Sequence, residues 1–253
     1  MEIKEQKIKV NGLDIYYKII GEGKPFLILH GWSSKSDKWE EVAKILGQKG
    51  FKVVIPDLPG FGKSDMPEIP WNLDNYVNFI EEFTKIINLE KFILASHSFS
   101  GGISIKFSVK NPNKVEKLFL LAPACIRRDS FKKRFFRVFS KLFKIFSFIP
   151  GYGLLRKAFY KFAVRKSDYQ HTDGIMKETY LKIINEDLSG VLNLVKTKTI
   201  IIWGDKDDIV PLEQGKEINK KISNSKLVII PGANHALEIK TPEALASNIL
   251  ENL

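Results

Sequence analysis

The chain has 253 residues, a formal net charge of +11 from 40 Lys and Arg against 29 Asp and Glu, and one cysteine. A single cysteine excludes an internal disulfide framework and fits a reducing compartment. No uncharged stretch approaches the roughly 18 residues of a membrane span, and no Cys/His spacing or Gly-rich phosphate loop marks a metal or nucleotide site.

The opening Met1-Glu2-Ile3-Lys4-Glu5 is charged and lacks the apolar run of a signal peptide, so a cytoplasmic protein is expected. Short apolar runs then alternate with helical spacing, the pattern of a mostly parallel sheet flanked by helices. Strands are read near 14–20, 26–30, 52–56, 91–95, 117–122, 199–203 and 226–230, and helices near 37–49, 73–88, 99–110, 212–222 and 242–252. His30 follows the strand Phe26 to Leu29 and is expected to brace a loop by hydrogen bonds.

The run Phe92 to Ala95 ends in Ser96-His97-Ser98-Phe99-Ser100-Gly101-Gly102, and Ile103 to Lys110 continue with helical spacing. A strand turning abruptly into a helix on small residues holds a serine hydroxyl clear of the sheet. The helix start then points backbone N–H groups at whatever that hydroxyl attacks. Ser98 is the candidate nucleophile; a plain serine N-cap is the alternative. His97, its neighbour, is expected to point away from it. Four histidines could serve as base: His30, His97, His171 and His235. His235 follows the strand run Ile229-Ile230 and the Pro231-Gly232 loop, where a mobile imidazole is useful, and is chosen by elimination. Asp205, Asp207 and Asp208 follow the strand Thr199 to Trp203. Asp207, three past Gly204 and followed by Ile209-Val210-Pro211, is taken as the partner of His235, and the other two as turn residues.

Taken together, these motifs resemble those of the α/β-hydrolase family over nearly the whole length. Besides Ser98, Asp207 and His235 in that order, Leu29-His30-Gly31-Trp32 is similar to the family's H-G oxyanion loop. Pro56-Asp57-Leu58-Pro59-Gly60-Phe61-Gly62-Lys63-Ser64 is similar to its D-x-P-G-x-G-x-S turn. The resemblance implies a mostly parallel eight-stranded sheet flanked by helices, with a helical cap inserted after the sixth strand. The core would be 1–125 and 191–253, and the cap 126–190. It also implies an oxyanion hole from the backbone N–H groups of Trp32 and Phe99, and chemistry without a cofactor. Ser96 and Ser100 stand where the elbow usually has glycines, which predicts a more strained turn.

Between Ile126 and His171 there are 13 Lys and Arg against two acids, Asp129 and Asp168, so the charge excess belongs to the insertion and the remainder is balanced. That localisation argues against nucleic acid as a partner. Phe131, Phe135, Val138, Leu142, Ile145 and Ile149 recur at helical spacing, with Lys and Arg on the other side. The apolar stripe is expected to face the site, placing Phe131, Phe135, Phe139 and Cys125 around the substrate. The basic side is expected to be solvated or to rest on an anionic membrane surface. The expected reaction is hydrolysis of a carboxylic ester with an apolar acyl or alcohol group. The rivals are C–C bond hydrolysis of ring-fission products, with Arg127, Arg128 or Arg156 holding a carboxylate, and a ligand-binding protein without activity.

Overall fold

A computed structural model of the chain describes residues 2–127 and 173–253. Among these residues eight strands form one sheet: β1 (Ile3–Val10), β2 (Leu13–Ile20), β3 (Lys24–Leu29), β4 (Phe51–Pro56), β5 (Phe92–His97), β6 (Val115–Leu121), β7 (Thr199–Gly204) and β8 (Ser225–Ile230). Their order across the sheet is β1-β2-β4-β3-β5-β6-β7-β8. β1 pairs antiparallel with β2, and β2 with β4, while β4 through β8 run parallel. The expected sheet of eight mostly parallel strands is therefore present.

The parallel strands read as near-continuous apolar runs because helices bury both faces. Side chains alternate in period two: Leu27, Leu29 and Leu94 join one core, whereas Phe26, Ile28, Ile93 and Ala95 join the other. The first core is covered by α2 (Leu73–Ile86), α3 (Ser100–Lys110) and α5 (Leu212–Lys221). The second is covered by α1 (Glu40–Gln48) and α7 (Pro242–Glu251). Helix α2 begins at a reciprocal capping box between Asn72 and Asn75.

Two elements lie outside the sequence reading. β1 was not expected, since IKEQKIKV carries charge on both faces; it is an edge strand, paired on one side alone and largely exposed. The four-residue helix α6 (Leu237–Lys240) is too short for a periodic signal. Helix α4 (Gly174–Asn185) packs on the loops at the C-terminal ends of the strands. The Trp71 N–H donates to Thr179 Oγ1 at 2.9 Å, and Lys182 Nζ donates to the Pro70 carbonyl at 2.8 Å.

Candidate active site

The C-terminal edge of the parallel strands is where loops from different strands meet, and the chemistry-bearing residues collect there. Strand β5 runs to His97 and the chain reverses at Ser98, whose φ is +56°. A side chain in this left-handed region costs about 1–2 kcal/mol. The neighbouring main chain holds it in place. Ser98 N–H donates to the Leu121 carbonyl at 3.0 Å, and its carbonyl accepts from Ala124 N–H at 2.9 Å and Gly101 N–H at 3.0 Å. The demand for a missing side chain falls at Gly101, where a Cβ would come within 2.4 Å of Pro123 Cβ.

Ser100 occupies a position with room for its hydroxyl. Its Oγ accepts the His97 N–H at 3.1 Å and lies 2.9 Å from both the Leu29 and His97 carbonyls, to which its proton can be donated. The serine thus ties the turn to the end of β3, and of Ser96, Ser98 and Ser100 the positive φ falls at Ser98. Ser96 is fully buried and its hydroxyl has no partner among the described residues.

Strands β7 and β8 bring the other two candidates to Ser98. Asp207 Oδ1 accepts N–H bonds from Ile209 at 2.9 Å and Val210 at 2.8 Å, which fixes the carboxylate plane. Its Oδ2 lies 2.7 Å from His235 Nδ1, and His235 Nε2 lies 3.1 Å from Ser98 Oγ. With a carboxylate on Nδ1, the proton sits on that nitrogen and Nε2 offers its lone pair to the serine hydroxyl. Of the three competing aspartates, Asp207 alone meets His235 among the described contacts. Asp205 braces the β8 loop by accepting the Gly232 N–H at 2.6 Å, and Asp208 is exposed.

The loop after β3 approaches from the other side. His30 is a brace, as expected: its Nδ1 bonds the Gly31 carbonyl at 2.8 Å and its Nε2 accepts the Leu58 N–H at 3.0 Å. Burial lowers its pKa. A Cβ on Gly31 would fall 3.5 Å from Ser98 Cβ, so Gly31 and Trp32 stand directly beside the serine. The Trp32 indole packs against Phe61, Phe99 and Tyr180 at centroid distances of 4.9, 5.3 and 5.1 Å. The D-x-P-G-x-G-x-S turn supports this loop from below. Asp57, 1% exposed, accepts the Ser36 N–H at 2.6 Å and the Lys63 N–H at 2.8 Å. Gly62 is needed there because a Cβ would come within 2.0 Å of the Asp57 carboxylate.

A cavity of about 310 Å³ opens on Ser98 and His235, lined further by Trp32, Ser34, Lys38, Ile209, Glu238 and Ile239. Ile209 and Ile239 are 57% and 47% exposed at its mouth, an apolar lip. Glu238 and the two isoleucines carry no sequence signal that points to the site. Cys125 is 1% exposed, does not line this cavity, and burial pushes its thiol up to about 12, so it is protonated at neutral pH. Phe131, Phe135, Phe139, Arg128, Arg156, His171 and the basic helical face lie outside the described residues. Among the described residues, no helix is long and apolar enough to cross a membrane.

Known proteins resemble this chain over most of its length. The family model described as serine aminopeptidase, S33 matches residues 24–241. The AB hydrolase superfamily protein YisY of Bacillus subtilis is 28% identical, with 94% of this chain and 94% of its own length covered. A 2-hydroxy-6-oxo-6-phenylhexa-2,4-dienoate hydrolase of Comamonas testosteroni is 23% identical, with 87% of this chain and 84% of its own covered. Among solved structures, an esterase from Exiguobacterium antarcticum superposes with a TM-score of 0.74 at 23% identity, covering 96% of each chain; the likeness is one of fold.

Proposed function

This chain belongs to the serine aminopeptidase S33 family of α/β-hydrolases, and we propose that within it the chain is a serine hydrolase acting on carboxylic esters through an acyl-enzyme. One observation carries the reading: an unbroken run of hydrogen bonds from Asp207 through His235 to a serine raised on a positive-φ turn.

In the proposed reaction, Ser98 Oγ attacks the ester carbonyl while His235 Nε2 takes its proton. The Asp207 carboxylate holds the imidazole in the Nδ1–H tautomer and stabilises the imidazolium that forms. Negative charge on the carbonyl oxygen is received by the backbone N–H groups of Phe99 and Trp32; one such donor typically contributes about 3 kcal/mol in the transition state. The tetrahedral intermediate collapses as His235 returns the proton to the leaving alcohol. Water then enters, gives a proton to His235 and attacks the acyl carbon; the second intermediate breaks its bond to Ser98 as His235 returns that proton to Oγ, which releases the acid and restores the serine.

An ester with an apolar acyl or alcohol group suits the cavity, because Ile209, Ile239 and the Trp32 indole face it. The C–C hydrolase reading draws support from the Comamonas relative. Arg127, one arginine that could hold a substrate carboxylate, instead gives its guanidinium to the Ile183 carbonyl at 3.2 Å. Arg128 and Arg156 lie outside the described residues, and the preference for esters rests on the apolar lip of Ile209 and Ile239.

The test is hydrolysis of nitrophenyl acetate, butyrate and octanoate by the wild type and Ser98→Ala, with fluorophosphonate labelling mapped by mass spectrometry. Turnover abolished in the variant, with the label on Ser98, is expected. Absence of both turnover and label in the wild type would overturn the reading.

A further inference from the structure

The residue before the nucleophile is not idle. Period two along β5 puts His97 on the same face as Ile93 and Ala95, away from Ser98, as the sequence suggests. There the ring is 4% exposed and its Nε2 lies 2.9 Å from the backbone carbonyl oxygen of His235. A carbonyl can only accept, so Nε2 carries the proton and Nδ1 holds a lone pair. The two imidazoles are neighbours, tilted by 42° with centroids 4.8 Å apart. Nδ1 abuts Gly31, where a Cβ would come within 2.8 Å, and lies 3.9 Å from Glu238 Oε1, beyond hydrogen-bond range. Through its own N–H, His97 also binds Ser100 Oγ, which reaches the last carbonyl of β3. One residue therefore touches the nucleophile's turn, the loop beside it and the main chain of the base.

We propose that His97 is a positioning residue for His235, its Nε2–H holding the carbonyl of the base so that the imidazole stays in reach of Ser98. The proposal rests on the serine-hydrolase reading above. His235 sits on a loop that follows Pro231-Gly232, and Asp207 fixes one edge of its ring but not its main chain. Proton transfer demands placement within about half an ångström. The His97 bond supplies the second point of attachment, 138 residues away in sequence. Burial keeps His97 neutral at physiological pH, although Glu238 opposes this, so it adds no second cation beside the His235 imidazolium.

The test uses two variants. In His97→Gln the side-chain amide can take the place of Nε2–H and donate to the same carbonyl; in His97→Leu nothing can. With nitrophenyl butyrate, His97→Leu is expected to lower kcat about 10- to 100-fold with KM within about twofold, and to slow fluorophosphonate labelling of Ser98 in parallel. His97→Gln is expected to stay within about threefold of wild type. Both are compared by thermal melting, so that a folding defect is seen separately. Equal losses in the two variants, or wild-type kcat in His97→Leu, would overturn the proposal while leaving Ser98 labelling intact. A wild type that neither turns over nor labels at Ser98 would overturn the underlying reading, and this proposal with it.

Discussion

His30 Nε2 accepts the backbone N–H of Leu58 while its Nδ1 gives a proton to the Gly31 carbonyl, so the ring is satisfied in its neutral form alone. A second proton would face the Leu58 N–H across 3.0 Å with no acceptor. His97 is in a similar position: its Nε2–H is used and burial lowers its pKa. In both, the folded protein binds a proton less readily than the unfolded chain. Their contribution to stability is thus complete above the unfolded value near 6.5 and is lost as pH falls below it. Urea unfolding between pH 7.5 and 5 should show stability dropping by up to about 1.4 kcal/mol per pH unit for each histidine. The His97→Gln variant should show a slope shallower by one proton. A flat profile in the wild type would count against neutral, buried rings.

Asp57 answers two backbone donors from a site 1% exposed. Asp57→Ala leaves the N–H groups of Ser36 and Lys63 without their acceptor and should cost about 3 kcal/mol in urea unfolding. Because Ser36 belongs to the stretch that follows Gly31 and Trp32, ester kcat should fall as well. Unchanged stability would mean that solvent replaces the carboxylate freely.

Lys18 is nearly buried in β2, and its ammonium binds the carboxylates of Asp37 and Glu40. Burial alone would lower its pKa; those two hydrogen bonds outweigh it and raise it. The bond from Lys18, with help from Lys35, holds the Asp37 carboxyl at about 2. That stabilisation is present above 3.8, the ordinary value, and lost as pH falls toward 2. Lys18→Met removes the cation and leaves two carboxylates side by side. Since both keep some solvent, the expected loss at pH 7 is about 2 kcal/mol, below the range for a sealed pair. The variant should also lose less stability than wild type on acidification below pH 4. An unchanged melting temperature at pH 7 would show that water screens the trio.

Ser100→Gly supplies the residue the elbow motif normally carries, yet it deletes the acceptor of the His97 N–H and the link to Leu29. Loss of about 1–2 kcal/mol and a several-fold lower kcat are expected. If the glycine variant is more stable than wild type, relief of strain outweighs these bonds.

Much of the sheet was legible because parallel strands covered on both faces leave apolar runs such as Phe26 to Leu29 and Thr199 to Trp203. β1 was not, because an edge strand with Glu5, Lys7 and Lys9 exposed needs no apolar face. Ser98, Asp207 and His235 could be picked from loop position and order, since each follows a strand end on the same edge of the sheet. The bond from His97 to the His235 carbonyl could not: a main-chain acceptor has no side-chain signature, and the two residues lie far apart in sequence. Attention to the phenylalanine stripe also drew the expected pocket toward 126–190. Those phenylalanines lie outside the described residues, and the cavity among the described residues is lined by loops after β3, β5, β7 and β8, where Ile209 and Ile239 stand without a periodic signal.

The backbone at Ser98 has a consequence for how mutations there behave. A φ of +56° suits glycine and penalises every residue with a Cβ. Two variants that equally lack the hydroxyl, Ser98→Ala and Ser98→Gly, should therefore differ in stability by about 1 kcal/mol in favour of glycine. Left to durability alone, the fold would discard the very side chain on which the proposed chemistry depends, so robustness and reactivity pull against each other at a single position.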